Sequence, residues 1–219
     1  MRLVPVPGVF KPHTDSLMLG EQVRREPLVR GDVLDLCTGS GVLAITAALS
    51  GASSVTAVDV SRRSLLAVQL SAICNGVHVE TVRGNLFDSM QGRRFDLIVS
   101  NPPYLPGQSD VLPSRGPARA WEGGSDGRRF IDRICAEVSD HLTPGGVLLL
   151  LHSSVCGERA TMTRLRGQGF DVDLVWRSSG TLGKRLHARA GVLRARGLIG
   201  EDETEEILIF RARRAFGSK

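Results

Sequence analysis

Apolar runs of strand length alternate with helical patterns along nearly the whole chain, and that alternation restricts the fold to a parallel sheet covered on both faces. Val33 to Cys37, Ser54 to Val60, His78 to Val82, Phe95 to Ser100 and Val147 to Leu151 read as strands. The intervals hold a small-residue helix over about Val42 to Ser50, a second opened by Ser61 and stopped at Asn75-Gly76, and a third over about Gly127 to His141. In the second helix Leu65, Leu66, Leu70 and Ile73 are expected to share one buried face. A helix around Glu158 to Arg166 leads to a sixth strand, Phe170 to Trp176, and a last strand spans about Glu206 to Arg211. No clear helical pattern separates that final pair, so an antiparallel hairpin is expected. Ser178 to Glu203 is basic, punctuated by glycine, and closes on Glu201-Asp202-Glu203; it reads as a solvated excursion.

Asn101-Pro102-Pro103-Tyr104 follows the fourth strand directly. Two prolines remove two backbone N–H donors and stiffen the turn. What points outward is a carboxamide oxygen, a proline carbonyl and a flat ring. Such a set can accept the hydrogens of a planar –NH2 group while the ring covers one face, which suits methyl transfer to nitrogen. An ordinary strand-to-loop turn uses the same dipeptides, so the stretch alone leaves both readings open.

The stretch Asp35-Leu36-Cys37-Thr38-Gly39-Ser40-Gly41 runs from the end of the first strand into a glycine turn. Gly39 and Gly41 allow a tight turn and close approach to a ligand. A dinucleotide fingerprint would place a third glycine where Ala44 stands, and the Asp35 carboxylate opposes a pyrophosphate. It suits a ligand with an ammonium group and no phosphate, as in S-adenosylmethionine. Asp59 ends the second strand, where a carboxylate can accept both hydroxyls of a ribose; capping the next helix is a compatible role. Asn85 and Leu86 follow the third strand, where an adenine edge and face would lie, although a plain turn after Gly84 explains Asn85 almost as well.

At 219 residues, with 42% hydrophobic and 23% charged content, the chain is sized for one domain that buries its own core. The longest unbroken apolar run, Val147 to Leu151, is far short of a membrane span, and the proline-broken N-terminus is no secretory signal. A cytoplasmic location is the expectation. Cys37, Cys74, Cys135 and Cys156 show no paired spacing and are expected to be reduced core thiols; the histidines show no metal-ligand spacing. A net charge of +5 fits an RNA-rich partner, but the cations are almost all arginine, as a codon bias would also produce.

Together these residues resemble the class I S-adenosylmethionine-dependent methyltransferases, and more narrowly the HemK/PrmC family of release-factor glutamine methyltransferases. Four motifs carry the resemblance: Phe10-Lys11-Pro12-His13-Thr14-Asp15-Ser16-Leu17, the loop from Asp35 to Gly41, the tetrapeptide at Asn101, and the stretch from Ser114-Arg115-Gly116 through Ala120-Trp121-Glu122-Gly123-Gly124-Ser125-Asp126-Gly127. The last is the most specific to the glutamine enzymes. The fold implied is α/β and Rossmann-like: a seven-stranded, mostly parallel sheet with a C-terminal antiparallel hairpin and helices on both faces. One domain is implied, with residues 1–30 covering the cofactor and 31–212 forming the core.

The resemblance implies S-adenosylmethionine held by Asp15, Ser16, Asp35, Cys37, Thr38, Gly39, Gly41, Asp59, Val60, Asn85, Leu86 and Asn101. It implies catalysis by Asn101, Pro102, Pro103 and Tyr104, with no metal. The substrate implied is the glutamine of a Gly-Gly-Gln tripeptide in a peptide chain release factor. The short N-terminal segment looks like the compact branch that works with a small zinc-finger activator subunit. Thr14, Asn85 and Ala118 depart from the acidic residues common in the family. The second reading is N-methylation of an exocyclic amino group in rRNA, tRNA or DNA; a small-molecule or peptide metabolite is the third, and a non-catalytic cofactor-binding scaffold a fourth.

Overall fold

The computed structural model describes residues 1–113 and 116–214. Its strands are β1 (Asp32–Leu36), β2 (Ser54–Asp59), β3 (Glu80–Arg83), β4 (Phe95–Ser100), β5 (Leu142–Ser153), β6 (Phe170–Thr181) and β7 (Thr204–Arg214). They form a seven-stranded sheet in the order β3-β2-β1-β4-β5-β7-β6. β1 to β5 are mutually parallel, whereas β7 runs antiparallel between β5 and β6. The expected C-terminal hairpin is therefore present, and both of its strands run longer than the apolar run alone indicates. The helices are α1 (Thr14–Arg25), α2 (Val42–Leu49), α3 (Arg62–Asn75), α4 (Arg129–His141), α5 (Glu158–Arg166), α6 (Lys184–His187) and α7 (Ala190–Ala195).

The central strands alternate their side chains into two cores, as a sheet buried on both faces must. Leu34, Leu36, Ile98, Leu148 and Leu150 pack with α4 on one face. Val33, Leu97, Val99, Leu149 and Leu151 pack with α1 and α2 on the other. Among the described residues no helix is long and apolar enough to cross a membrane.

Three expectations are corrected. Of those four residues on α3 only Leu65 is buried; Leu66, Leu70 and Ile73 are exposed, Ile73 to 75%. The buried face of α3 is instead Ser64, Leu65, Ala67, Val68, Ser71 and Ala72. Small side chains let this helix approach the α2 turn, where a Cβ on Gly41 would lie 2.8 Å from Val68 Cγ2. Cys74 is exposed on the same helix, while Cys135 and Cys156 are buried and Cys37 is half-buried. Ser178 to Glu203 is no solvated excursion: Leu182, Leu186, Ala190 and Leu193 are buried in a third apolar cluster with Val155, against which Leu105 also packs. Ser114 and Arg115, read above as part of a motif, lie outside the described residues.

Candidate active site

The C-terminal ends of β1 and β4 lie side by side, with Leu36 opposite Ser100. The Ser100 hydroxyl donates to the Leu36 carbonyl at 2.9 Å and ties the two ends together. The glycine loop leaves one strand and the proline tetrapeptide leaves the other. Both open into one cavity of about 960 Å³, placed where open α/β sheets bind ligands, beyond the carboxyl ends of the strands. That volume lies at the upper end of the range of small-ligand pockets.

On the β1–β2–β3 side the wall is formed by Cys37, Thr38, Gly39, Asp59, Val60, Asn85 and Leu86. Its backbone is unusual. Cys37 and Leu86 take positive φ of 59° and 55°, a conformation that side chains rarely adopt and that gathers at ligand sites. The Asp59 carboxylate accepts from the Gly39 amide at 3.0 Å and the Ser61 amide at 2.8 Å, and burial holds its pKa above the ordinary value. Asp35 is fully buried beneath the loop rather than on the wall. Its Oδ2 accepts from the Thr38 hydroxyl at 2.6 Å and the Ala44 amide at 3.0 Å. Its Oδ1 is buried with no hydrogen-bond partner among the described residues, and burial pushes its pKa up to about 7.

The other half of the wall is Asn101, Pro102, Pro103 and Tyr104. The Asn101 amide Nδ2 donates to the Ser16 hydroxyl at 3.1 Å and to Asp15 Oδ2 at 3.5 Å. Those contacts assign the amide's orientation, and no donor among the described residues reaches its Oδ1. The Tyr104 hydroxyl also donates to Asp15 Oδ2, at 3.1 Å. Burial first, then the Asp15 charge, holds the phenol well above its usual pKa. Asp15 and Ser16, at the start of α1, are thus joined to the tetrapeptide, and both line the cavity.

A second layer fixes the tetrapeptide from behind. The Leu105 amide donates to the Trp121 carbonyl at 2.7 Å, the Gly123 amide to the Leu105 carbonyl at 2.9 Å, and the Gly107 amide to the Gly124 carbonyl at 2.7 Å. Glycine is required in this loop for space. A Cβ on Gly123 would lie 2.6 Å from the Pro103 carbonyl oxygen, and one on Gly127 would overlap the Tyr104 carbonyl oxygen.

The cavity also has wall residues that sequence reasoning did not assign: Phe10, Trp121, Lys184, Arg185 and Glu205. Phe10 and Trp121 enter the sequence reading only as parts of motifs. Lys184, Arg185 and Glu205 come from segments whose composition is polar or basic; the helical spacing of Leu182, Leu186 and Leu193 is the signal that marks an ordered arm there. Glu205 anchors that arm, accepting from the Gly183 amide at 2.8 Å and the Ser153 hydroxyl at 2.9 Å.

Residues 1–113 match the family described as methyltransferase small domain. A Methanocaldococcus jannaschii protein, provisionally named a protein N5-glutamine methyltransferase, is 33% identical over 168 residues, 77% of this chain and 84% of that protein. The Geobacter sulfurreducens release factor glutamine methyltransferase is 34% identical over 154 residues, 67% of this chain and 54% of that one. The Bradyrhizobium diazoefficiens ribosomal protein uL3 glutamine methyltransferase is 41% identical over 127 residues, 53% of this chain and 39% of that one. The matched regions thus span about half or less of these two bacterial relatives. Among solved structures, the E. cuniculi Mtq2-Trm112 complex, described as responsible for methylation of the eRF1 translation termination factor, aligns with TM-score 0.64 and 23% identity, covering 95% of this chain and 99% of that one. A T. thermophilus 16S rRNA N2 G1207 methyltransferase, in complex with AdoMet and guanosine, aligns with TM-score 0.60 and 20% identity over 97% of this chain and 46% of that one. Both share this fold.

Proposed function

Because the chain belongs to the methyltransferase small domain family, we propose that it transfers a methyl group from S-adenosylmethionine to the side-chain amide nitrogen of a glutamine in a peptide chain release factor, within a Gly-Gly-Gln tripeptide. One observation carries this reading. Asn101 spends its two donor hydrogens on Ser16 and Asp15, so that the side chain meets the cavity as an acceptor.

The residues fit the cofactor. Asp59 has carboxylate lone pairs to spare for adjacent hydroxyls, and Asp35 Oδ1 is a buried oxygen without a partner among the described residues. In this reading Cys37, Thr38, Gly39 and Gly41 shape the loop around the amino-acid end, Asp59 and Val60 take the ribose, and Asn85 and Leu86 take the base. Asp15, Ser16 and Asn101 close the side that faces the acceptor, residues 1–30 cover the site, and 31–212 form the core. S-adenosylmethionine supplies, when bound, a methyl group made electrophilic by its sulfonium.

An amide nitrogen is a poor nucleophile because its lone pair is shared with the carbonyl. The Asn101 Oδ1 and the Pro102 carbonyl accept the two amide hydrogens, orient the nitrogen, and offset positive charge as it develops there. Pro103 keeps the turn rigid and Tyr104 covers the amide plane. No strong general base is needed, because the proton leaves after transfer, when the nitrogen is far more acidic.

A small activator subunit fits one surface. Among the described residues β3 is an edge strand with no neighbour on its outer side, and Leu66, Leu70 and Ile73 stand exposed on the adjoining α3. An open edge beside an apolar patch is a site for strand addition by a partner. We place the reaction in the cytoplasm, where release factors act.

The test is incubation with methyl-labelled cofactor, a release factor and total RNA. Label on the factor that vanishes when its tripeptide glutamine is replaced supports the reading. Label on RNA alone overturns it.

A further inference from the structure

Four side chains form a continuous row across the mouth of the cavity. The His13 and Phe10 rings meet edge to face with centroids 5.0 Å apart, and Phe10 lies 6.4 Å from Trp121. The Arg185 guanidinium lies over Trp121, 4.2 Å from the ring centroid. All four line the cavity. The row joins three segments remote in sequence: the N-terminal segment, the loop behind the tetrapeptide, and the arm between β6 and β7.

The arm is built to hold its end of the row in place. Leu182, Leu186, Ala190 and Leu193 bury against Val155 and Leu105, so the arm has its own small core. Arg189 pairs with Glu122, next to Trp121, at 2.5 Å, and donates to the Pro106 carbonyl at 2.7 Å. Arg196 donates to the carbonyls of Gly107, Gln108 and Ser125 at 2.7 to 2.8 Å. The arm therefore clasps both strands of the loop that backs the tetrapeptide.

With that clasp in place, Arg185 and Lys184 are left exposed at the mouth. Neither has a carboxylate or carbonyl partner among the described residues; Arg185 has only the ring beneath it. A guanidinium stacked on an indole is pre-oriented, and its N–H donors in the ring plane remain available. A polypeptide segment crossing the row offers them main-chain carbonyls or a carboxylate. In the function proposed above, on which this inference rests, the residues before the glutamine are glycines and present main-chain groups only.

We propose that the arm between β6 and β7 is the acceptor-selecting wall of the enzyme, and that Arg185, stacked on Trp121, is a specificity-determining contact to the acceptor-rich backbone or carboxylate beside the methylated amide. Arg189 is a positioning residue that acts through Glu122 and the Pro106 carbonyl. The arm lies between β6 and β7 in the chain, whereas Asp59 and the glycine loop lie at the ends of β2 and β1, so recognition of the acceptor and binding of the methyl donor rest on different elements.

The test uses the full chain, a release factor as acceptor and labelled cofactor, with Arg185→Ala, Arg185→Glu and Arg185→Lys measured beside the wild type. Arg185 is exposed, so these changes leave the fold intact. Arg185→Ala is expected to raise KM for the release factor about fivefold to tenfold, the size of a lost cation–π-oriented contact. Arg185→Glu should raise it further and Arg185→Lys should recover part of the loss, while the cofactor dissociation constant, read by calorimetry, stays at the wild-type value in all three. Wild-type labelling of the glutamine together with unchanged KM in Arg185→Ala and Arg185→Glu overturns the wall alone. A wild type that binds cofactor but labels RNA, or labels nothing, overturns the glutamine reading and the wall with it. A loss of cofactor affinity equal in fold-change to the rise in KM also overturns the wall, since Arg185 would then serve the donor side.

Discussion

The Tyr104 hydroxyl donates to Asp15 Oδ2 at 3.1 Å across 89 residues of sequence, and the same oxygen lies 3.5 Å from the Asn101 amide nitrogen. One carboxylate at the start of α1 therefore orients two of the four residues of the tetrapeptide. Coupling of this kind is measurable. Tyr104→Phe removes one neutral donor to a charged acceptor and is expected to lower kcat/KM by roughly tenfold to a hundredfold, equivalent to about 1.5–3 kcal/mol. Asp15→Asn should lower it similarly, and the double variant by less than the product of the two. Strict multiplicativity in that cycle would show that Asp15 and Tyr104 act independently.

In the proposed reaction, Asn101→Ala deletes an oriented acceptor of the reacting amide. By analogy with oxyanion-hole donors it should raise the barrier by about 2.7–4 kcal/mol, a loss of at least about a hundredfold in kcat. Cofactor affinity should change little, because Asp59 and the glycine loop remain intact. Calorimetry with S-adenosylhomocysteine beside single-turnover methylation separates the two, and wild-type turnover in this variant would remove Asn101 from the chemistry.

Gly127 has a φ of 76°, and an added Cβ would overlap the Tyr104 carbonyl oxygen and approach Cys156 Sγ to 2.8 Å. Gly127→Ala is expected to cost about 1–3 kcal/mol of stability and to lower turnover by more than that loss explains, because the tetrapeptide backbone must shift. Gly51→Ala is the control: its φ is also positive, at 91°, but nothing lies within 4 Å of the added carbon. Equal activity in the two variants would show that the packing behind Tyr104 is irrelevant to catalysis.

Two buried groups titrate in opposite senses. Burial pushes Asp35 from 3.8 up to about 7, so the folded state binds the extra proton across that window and stability falls as pH rises through it. Burial pushes His152 from 6.5 down to about 4; here the unfolded state binds the extra proton, so stability rises with pH across that window and is complete above it. The two slopes largely offset each other in the wild type. In Asp35→Asn the melting temperature should climb more steeply between pH 4 and about 6.5 than in the wild type, and in His152→Gln it should fall with pH instead. Thermal melts across that range decide it, and slopes identical to the wild type would exclude burial as the cause.

The strands were legible because a sheet buried on both faces demands unbroken apolar runs, and Phe95 to Ser100 begins and ends where the sequence places it. The N-terminal half of the sheet and both loops that open into the cavity follow from the same signal plus Gly39, Gly41 and Pro102-Pro103. The face of α3 was misread because apolarity was equated with burial; packing beside Gly41 favoured small residues, and Leu66, Leu70 and Ile73 were displaced outward. The arm was misread because its leucines are diluted by arginines whose partners are backbone carbonyls seventy to ninety residues away. The tie between Asp15 and Tyr104 is likewise invisible in sequence, since it depends on α1 lying over the end of β4.

The glycine loop and the proline tetrapeptide issue from neighbouring strands held in fixed register, Leu36 against Ser100, so in the proposed function the gap a methyl group must cross is set by one inter-strand spacing. That spacing is a property of the barely compressible centre of the sheet. On the proposed assignment, descendants of such a scaffold can exchange the outlying arm and change what they modify, without retuning the transfer itself.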